Sequence, residues 1–460
     1  MKVLLFGTGE YYNRYKIWFA KEDIIALIDN SKEKQGQYID NILVIPPEAV
    51  CQYEFDAIVI LSFYVKAMKF QLIQLGIEES RIYHFFDLHN LIYHQVKKRA
   101  IHYYEPKDKN ESENKKILLL SHDLTLGGPA LALYHAAQIL RKNGYQAVYG
   151  SMLDGPLRRT LTEEGIPIIV DENLMIETMK EAEWTNGYSL IICNTMNYHV
   201  FLSERGQNVP VVWWLHDALF FYDGIRQEVM EKISQDNMQI WSVGPIPKKA
   251  VQTFRPDLQI EDLLYGVADQ ADRKNKVNSD SVIRFITIGY IEHRKGQDIL
   301  LEAIKGLEDE FRKKAEFIFV GQNTSLMAQN LIEASGNIPE IVITGLVDRE
   351  EIDTLLDRSD VLVCPSREDP MPTVAAEAMM HGLPCLISDT TGTVQYIGDG
   401  IDSIVFQSGN AEQLREMLRR CIRGSYNLKE MGRNARGVYE KYFSMQAFEN
   451  RLMELVEDLV

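Results

Sequence analysis

The stretch that decides the fold is Ser366–Pro384, "SREDPMPTVAAEAMMHGLP". It follows the apolar run "VLVCPS", and Pro372 suits the first turn of a helix. The pattern predicts a buried strand, a loop that holds Asp369, and a helix with Glu377 about one turn inside. Two carboxylates placed in this way can accept hydrogen bonds from hydroxyl groups. The alternative is an acid that complements the helix dipole, together with a solvated glutamate.

Short apolar runs alternate with helical patterns on both sides of this stretch. The runs "IRFITIGY", "AEFIFVG", "EIVITG" and "PCLISD" are typical strands, and segments such as "GQDILLEAIKGL" are typical helices. This alternation predicts an α/β protein with parallel sheets and helices on both faces. Ligands of such sheets bind beyond the carboxyl ends of the strands, so the strand-to-helix loops are where a site is expected.

Two polar stretches divide the chain. They are "EPKDKNESENKK" (Glu105–Lys116) and "DQADRKNKVNSDS" (Asp269–Ser281), and each is typical of a solvated boundary. The predicted organisation is a Rossmann-like accessory domain (1–95), a charged linker (96–115), two further α/β domains (116–272 and 280–442) and a final amphipathic helix (443–460).

Composition excludes several classes of function. The chain has 460 residues, 46% of them hydrophobic, and a formal net charge of −17. A charge this negative argues against general nucleic-acid binding and requires that any phosphate site be built locally. The five scattered cysteines form no zinc pattern and predict buried free thiols in a reducing cytoplasm. The start of the chain does not resemble a signal peptide, and no apolar run reaches the ~18 residues of a membrane span.

A basic loop precedes one of the predicted helices. In "IGYIEHRKGQDILLEAI", His293, Arg294 and Lys295 lie between a strand and a helix. Cations and free backbone N–H groups together make an anion site, which points to a phosphate ligand. A solvated basic turn is the alternative.

Two further junctions in the middle of the chain carry candidate residues. In "HDLTLGGPALAL", Gly127 and Gly128 allow the backbone to approach a ligand, although a simple tight turn explains them equally well. In "VVWWLHD", His216 ends a buried strand, where a histidine is often structural. The neighbouring aromatic residues are expected to lie in the core.

The first strand opens a partial dinucleotide fingerprint. Gly7 and Gly9 follow it, and Asp29 follows the second strand, but Tyr12 stands where the third glycine would fall. This partial pattern is compatible with a nucleotide in the accessory domain, although the missing third glycine disfavours one. A nicotinamide-dependent sugar oxidoreductase is a further alternative, which the missing glycine and the absence of a Tyr-x-x-x-Lys motif disfavour.

Residues 116 to 460 resemble a retaining glycosyltransferase of the GT-B fold, close to glycosyltransferase family 4. Four motifs carry the resemblance in the order of the family: "LTLGGPALAL", "WWLHD", "IGYIEHRKGQDILLEAI" and "SREDPMPTVAAEAMMHGLPCLISD". The resemblance implies two Rossmann-like domains that face a cleft, with the accessory domain added in front. It also implies that the final helix (443–460) crosses back to brace the domain of residues 116–272. That domain is similar to small Rossmann-like domains attached to some polysaccharide-biosynthesis proteins.

The resemblance also implies a role for each candidate residue. Glu377 would accept hydrogen bonds from the ribose of a nucleotide-sugar donor, and Asp369 would hold hydroxyls of the transferred sugar. Lys295, with Arg294, would neutralise the diphosphate, and His216 would lie near the sugar. The remaining donor contacts implied are Gly345, Leu346 and Val347 at the nucleobase, Thr391, Gly392 and Thr393 at the phosphates, and Gly127 and Gly128 across the cleft. No metal is implied.

These observations predict a retaining glycosyltransferase of polysaccharide, glycolipid or glycoprotein glycan biosynthesis. Its partners would be a nucleotide-sugar donor and a glycan, lipid-linked or protein acceptor, without nucleic acid and without a cofactor. We expect it in the cytoplasm or at the inner face of the membrane, in peripheral association. The family pattern has Glu at position 369 and Arg at position 290, where this chain has Asp369 and Tyr290. These departures support an alternative, a catalytically silent subunit that stabilises a partner transferase.

Overall fold

A computed structural model gives the fold and describes residues 1–106, 115–270, 281–322 and 326–460. The chain divides into two compact units. The first unit comprises Met1–Trp241, Lys249–Glu261 and Leu459–Val460, and the second comprises Ser242–Lys248 and Asp262–Asp458. Much of the predicted linker (107–114) and most of the second predicted boundary (271–280) lie outside the described residues.

The first unit begins with a sheet built from the predicted accessory domain. Its strand order is β3-β4-β2-β1-β5-β6, and the pairs are parallel except for β3 with β4. The central strands are fully buried apolar segments, as expected of parallel strands covered on both faces. The strands are β1 (Val3–Phe6), β2 (Ile24–Ile28), β3 (Tyr38–Ile39), β4 (Ile42–Ile45), β5 (Ala57–Ile60) and β6 (Ile82–His84).

A second sheet follows in the same unit. Its strand order is β14-β13-β12-β11-β8-β9-β10-β7, with parallel pairs from β12 to β10 and an antiparallel pair between β10 and β7. The strands are β7 (His102–Tyr104), β8 (Lys116–Ser121), β9 (Gln146–Ser151), β10 (Ile168–Val170), β11 (Leu190–Asn194), β12 (Val211–Leu215), β13 (Met238–Ser242) and β14 (Glu261–Asp262).

The third sheet belongs to the second unit. Its strand order is β17-β16-β15-β18-β19-β20, and each neighbouring pair is parallel. The order reverses between β15 and β18, which makes a switch point at their carboxyl ends. The strands are β15 (Ile283–Ile288), β16 (Ala315–Val320), β17 (Ile341–Gly345), β18 (Val361–Cys364), β19 (Cys385–Ser388) and β20 (Ile404–Phe406).

Helices connect the strands of all three sheets, which confirms the predicted α/β class. Most follow a strand and precede the next parallel one, as right-handed crossovers require. The helices that precede β14 in the chain are α1 (Glu10–Tyr15), α2 (Val65–Gln74), α3 (Leu88–Ile92), α4 (Gly128–Lys142), α5 (Leu157–Glu163), α6 (His199–Ser203), α7 (Gln227–Glu231) and α8 (Pro245–Phe254). The later helices are α9 (Gln297–Lys305), α10 (Asp309–Arg312), α11 (Leu326–Ser335), α12 (Arg349–Arg358), α13 (Thr373–Met380), α14 (Ala411–Ile422), α15 (Leu428–Val438) and α16 (Met445–Glu457).

The accessory domain shares an apolar core with the second sheet. Phe85 and Leu88 belong to the same buried cluster as Met175, Met196 and Ile225. Polar contacts reinforce this packing: Lys66 Nζ lies 2.6 Å from Asp223 Oδ1, and Arg226 Nε lies 3.0 Å from Asp87 Oδ2. Residues 1–95 are therefore packed into the first unit.

Two predicted segments differ in detail from the structure. Residues 102–104, inside the predicted linker, form strand β7 and pair with Ile168–Val170. The predicted bracing of the second α/β domain by the final helix stays a prediction, because α16 belongs to the second unit. There Met445 and Phe448 lie against Gly266. The last two residues group with the first unit, where Lys115 Nζ donates to the carbonyl of Val460.

The described residues contain neither a membrane-spanning helix nor a cluster of metal ligands. Within these ranges no helix has both the length and the apolar character needed to cross a bilayer. The same residues do not bring three or more His, Cys, Asp or Glu side chains together in a way that could hold a metal ion.

Candidate functional site

The site of the second unit lies at the switch point of the third sheet. Loop 289–296 follows β15 and loop 365–372 follows β18, and these two strands are neighbours. Because parallel strands end at the same edge, the two loops meet there. The predicted basic residues and the predicted acid Asp369 are therefore brought together from positions 74 residues apart.

Asp369 is paired with the basic loop. Lys295 Nζ donates a 2.6 Å hydrogen bond to Asp369 Oδ2, and Arg294 Nη1 lies 3.8 Å from the same oxygen. Asp369 is only 5% exposed, and a carboxylate buried to this degree requires a cationic or hydrogen-bonding partner. Arg294 is itself fixed by the carbonyl of Glu368 at 3.2 Å and the carboxylate of Glu292 at 2.8 Å.

A glycine joins the two loops. Gly296 has a φ of +70°, and a Cβ at this position would lie 2.0 Å from the carbonyl oxygen of Pro365. Arg367 N donates to Arg294 O at 2.7 Å, which adds a backbone link between the loops. The glycine in the "RKGQ" motif is therefore needed for close packing, and it sets the distance between Lys295 and Asp369.

The segment predicted to face the phosphates packs on the Asp369 loop. Gly392 N donates to Asp369 O at 2.9 Å, and a Cβ on Gly392 would lie 1.8 Å from the carbonyl oxygen of Pro370. Thr391 forms a parallel bridge with Asp369, and Thr393 Oγ1 contacts Met371 Sδ at 3.6 Å. The structure thus places Thr391, Gly392 and Thr393 next to Asp369, although their roles toward a ligand stay predictions.

Glu377 lies inside α13 and is 9% exposed. Arg349 Nη1, from the first turn of α12, donates a 2.5 Å hydrogen bond to Glu377 Oε1. Burial alone would lower the pKa of the Arg349 guanidinium, but the charge of Glu377 and the hydrogen bond outweigh it and raise this pKa. Arg349 was not predicted from the sequence. The available signal was a cation at the helix start directly after the predicted nucleobase loop.

The predicted nucleobase loop connects β17 to α12. Gly345 ends the strand with a φ of +77°, and its carbonyl accepts a 2.9 Å hydrogen bond from Gly321 N. Leu346 is 77% exposed and Val347 is half-buried. Tyr290, which stands where the family pattern has arginine, is 64% exposed at the end of β15. These side chains line the same sheet edge as Lys295.

The glycine pair lies in the first unit, at the junction of β8 and α4. Gly127 is the residue before the helix, and its N–H donates to Thr125 Oγ1 at 3.3 Å. Asp123 holds this turn by accepting from Thr125 N and Oγ1 at 3.1 and 2.8 Å. Burial would raise the pKa of Asp123, but the hydrogen bond and charge of His122 lower it well below the ordinary value.

His216 follows β12 in the same unit. Its ring packs on Trp214 with 4.5 Å between centroids, and burial lowers its pKa to about 3. The imidazole is therefore neutral near pH 7. Its Nε2 atom is buried without a hydrogen-bond partner among the described residues. The role of His216 toward a sugar stays a prediction. The adjacent Trp213 and Trp214 are fully buried core residues, as predicted.

In the partial fingerprint of the accessory domain, the carboxylate of Asp29 is hydrogen-bonded by neighbouring residues of the same domain. Asp29 Oδ2 accepts from Thr8 N at 3.1 Å and also from Thr8 Oγ1, and Asp29 Oδ1 accepts from Ser31 N at 2.9 Å. Lys34 Nζ lies 3.3 Å from the same carboxylate. Both oxygens of Asp29 are therefore engaged, so the residues present do not fit the ribose partner that the fingerprint suggested. A nucleotide in this domain stays a prediction.

Two family models match the parts of the chain that contain the predicted site residues. Residues 268–438 match the model of glycosyl transferases group 1, and residues 113–245 match glycosyl-transferase family 4. The chain belongs to the GT-B glycosyltransferases. The N-terminal part of this glycosyltransferase, residues 1–83, matches the C2185-like N-terminal domain.

Similar proteins extend the comparison. This GT-B glycosyltransferase is 21% identical over 361 residues to spore coat protein SA of Bacillus subtilis, covering 72% of this chain and 95% of that protein. It is 23% identical over 261 residues to an uncharacterized glycosyltransferase of Methanocaldococcus jannaschii, covering 56% and 71%. Its fold is similar to Anabaena HepE, solved in complex with UDP-glucose, with a TM-score of 0.63 and 18% identity over 75% of this chain and all of that one.

Proposed function

We propose that this glycosyltransferase moves a sugar from a nucleotide-sugar donor to a hydroxyl acceptor with retention of anomeric configuration. The observation that carries the proposal is the meeting of Lys295 and Asp369, 2.6 Å apart, at the switch point of the third sheet. A cation and a carboxylate side by side match the two chemistries of the donor, an anionic diphosphate joined to a polyhydroxylated ring. The HepE complex with UDP-glucose supports a donor of this class.

The assignment of the donor follows from the charges and hydrogen-bonding groups of the loops. Lys295 and Arg294 neutralise the diphosphate. Thr391, Gly392 and Thr393 line the phosphates, where the N–H of Thr393 adds to this, since the N–H groups of Thr391 and Gly392 donate to Ser388 and Asp369. Asp369 accepts from hydroxyls of the transferred sugar, and Glu377 accepts from the ribose. Gly345, Leu346 and Val347 border the nucleobase. From the first unit, Gly127, Gly128 and His216 serve the donor, the last through its neutral imidazole.

The proposed reaction needs no enzymic nucleophile. The acceptor hydroxyl attacks the anomeric carbon on the face from which the diphosphate leaves, and the bond between that carbon and the diphosphate oxygen breaks. The hydroxyl proton passes to the departing diphosphate. Negative charge therefore accumulates on the leaving group, and Lys295 is placed to stabilise it in the transition state.

The acceptor class is a glycan, a lipid-linked saccharide or a protein. We place the reaction in the cytoplasm, or at the inner face of the membrane in peripheral association. The five cysteines support a reducing compartment, since all are free thiols and four of them are buried.

The test is a panel of donors: UDP-glucose, UDP-galactose, UDP-N-acetylglucosamine, GDP-mannose and ADP-glucose. The purified protein is expected to hydrolyse or transfer at least one of them, and proton NMR of the first product formed reports its anomeric configuration. An α-linked donor that gives an α product supports retention, and a β product contradicts it. Copurification with an active transferase, without binding of any nucleotide, would favour the silent subunit.

A further inference from the structure

Glu377 has one protein partner on its carboxylate among the described residues, and that partner is Arg349. The guanidinium binds Oε1, which leaves Oε2 for a ligand. Glu377 lies in α13 and Arg349 in α12, so the contact links two helices that are separate in sequence by 28 residues. Because the Glu377 side chain is only 12% exposed, removing Arg349 would leave a mostly buried carboxylate without its cation.

Arg349 belongs to a longer chain of charged groups. Arg349 Nη2 lies 3.6 Å from Asp353 Oδ1, one helical turn along α12. Asp353 also lies 3.3 Å from Nε2 of His381, whose Nδ1 lies 2.6 Å from Asp357 Oδ1. Asp353 and the ring of His381 are buried. The middle of this series, Asp353 and His381, is therefore buried, whereas Asp357 at its far end is 35% exposed. Arg349, with a side chain 50% exposed, forms the end that meets Glu377.

The position of Arg349 also ties it to the loop assigned to the nucleobase. Residues 345–347 run into α12, whose start is capped by the Asp348 side chain accepting from Glu351 N at 2.9 Å. Arg349 is the next residue. The same helix start thus orients the loop backbone and the cation that holds Glu377.

We propose that Arg349 is a positioning residue that orients the Glu377 carboxylate toward the ribose hydroxyls of the donor and couples it to the nucleobase loop. The inference rests on the proposed function. It assigns Arg349 no contact with the nucleotide. Its effect acts through Glu377, and therefore only through the hydroxyls that Glu377 binds.

The test compares nucleotides with and without those hydroxyls. Calorimetry measures the affinity of the full-length protein for UDP, GDP and ADP, each beside its 2′,3′-dideoxy form. The unaltered protein should prefer the hydroxylated form of its nucleotide by about tenfold or more, the scale of a hydrogen bond to a charged group. In Arg349→Met this preference should fall to about twofold, while affinity for the dideoxy form stays unchanged. Arg349→Lys should recover part of the preference.

Arg358→Met is the matched control. Arg358 ends the same helix, is 48% exposed and pairs with Glu316 at 3.3 Å, so its loss tests helix stability without touching Glu377. It should keep the full preference. A merely structural role of Arg349 would weaken both forms of the nucleotide equally and would overturn the inference, as would an unchanged preference in Arg349→Met. If the unaltered protein binds none of UDP, GDP and ADP, the proposed function fails and the inference with it.

Discussion

Lys295 Nζ lies 2.6 Å from Asp369 Oδ2, so the cation assigned to the diphosphate and the carboxylate assigned to the sugar are in direct contact. The pair is held by Gly296 and Gly392, which pack against the carbonyls of Pro365 and Pro370. Because the two groups already share a hydrogen bond, changing either one alters the environment of the other, and the two substitutions should have distinguishable effects.

Lys295→Ala removes the cation that we assign to the diphosphate leaving group. It should lower transition-state binding, measured as kcat/KM for the donor, by roughly 2–4 kcal/mol, the scale of losing one oxyanion donor. Lys305→Ala, at the exposed end of α9, is the control and should keep normal turnover. Equal activity in Lys295→Ala and the unaltered protein would remove this lysine from the mechanism.

Glu377→Gln and Asp369→Asn should separate the two ends of the donor. The first should weaken binding of the nucleoside diphosphate by roughly 1.5–3 kcal/mol, since a charged acceptor becomes neutral. The second should leave that affinity intact, because losing the negative charge frees Lys295 for the diphosphate, yet should reduce turnover of the nucleotide sugar. Calorimetry with the diphosphate beside turnover with the sugar donor measures both. Equal loss of diphosphate affinity in the two variants would contradict this division of roles.

Phe63→Ala tests whether the accessory domain is integral to the first unit. The Phe63 ring lies 4.5 Å from that of Phe221 and 5.4 Å from that of Phe85. Its truncation should destabilise the protein by about 2–4 kcal/mol, as in other apolar cores, and lower the melting temperature. Phe70→Ala removes a ring that is mostly exposed on α2 and should have little effect. A stable, fully active fragment 116–460 would show that the shared core is dispensable.

Acid should weaken the packing of the accessory domain against the second sheet. Burial lowers the pKa of His84 to about 3 and of His199 to about 4, below the ordinary value near 6.5. A depressed pKa means that both rings are neutral in the fold. Their contribution is thus fully present above about pH 6.5 and is lost as the pH falls toward 4. The melting temperature should drop over this interval, and His84→Gln with His199→Gln should make the drop shallower. An unchanged slope would exclude these histidines as the cause.

Gly392→Ala should disturb the site through the backbone. The added Cβ would lie 1.8 Å from the carbonyl oxygen of Pro370, so the loop that carries Asp369 must move. Turnover should fall strongly, because displacements of this size at reacting groups cost about 100-fold. Gly437→Ala is the control, since its Cβ would meet nothing within 4 Å inside α15, and alanine favours a helix. Normal turnover in Gly392→Ala would show that the loop tolerates the shift.

The sequence was most informative where strand ends bring residues together. A parallel sheet places its strand-to-helix loops at one edge, so the sequence could predict that Lys295 and Asp369 lie at that edge. Their direct contact depends on β15 and β18 being neighbours, so the edge but not the contact could be anticipated. The contact of Arg349 with Glu377 could not, because it depends on how two helices lie against each other. Strand β7 was missed for a similar reason: its partner, Ile168–Val170, lies more than sixty residues away, and charged neighbours conceal the short run "HYY".

The fingerprint of the accessory domain is a second case in which contacts could not be predicted from the sequence. Gly7 and Asp29 occupy the spacing that a nucleotide site requires, but Thr8 and Ser31 supply the hydrogen bonds that a ribose would otherwise make. Spacing along a chain does not reveal such local competition. The structure therefore separates two acids in similar positions. Asp29 is satisfied by Thr8, Ser31 and Lys34, whereas Asp369 meets Lys295 from the loop of a neighbouring strand.

Because the accessory domain packs on the second sheet, the two parts should stay associated without an unbroken backbone. Phe63, His84 and Asp87 contact residues 221–226, and β7 adds a strand to the second sheet. These noncovalent contacts hold residues 1–106 to the second sheet in addition to the covalent connection. Separately expressed fragments 1–106 and 115–460 should therefore associate in trans and elute together.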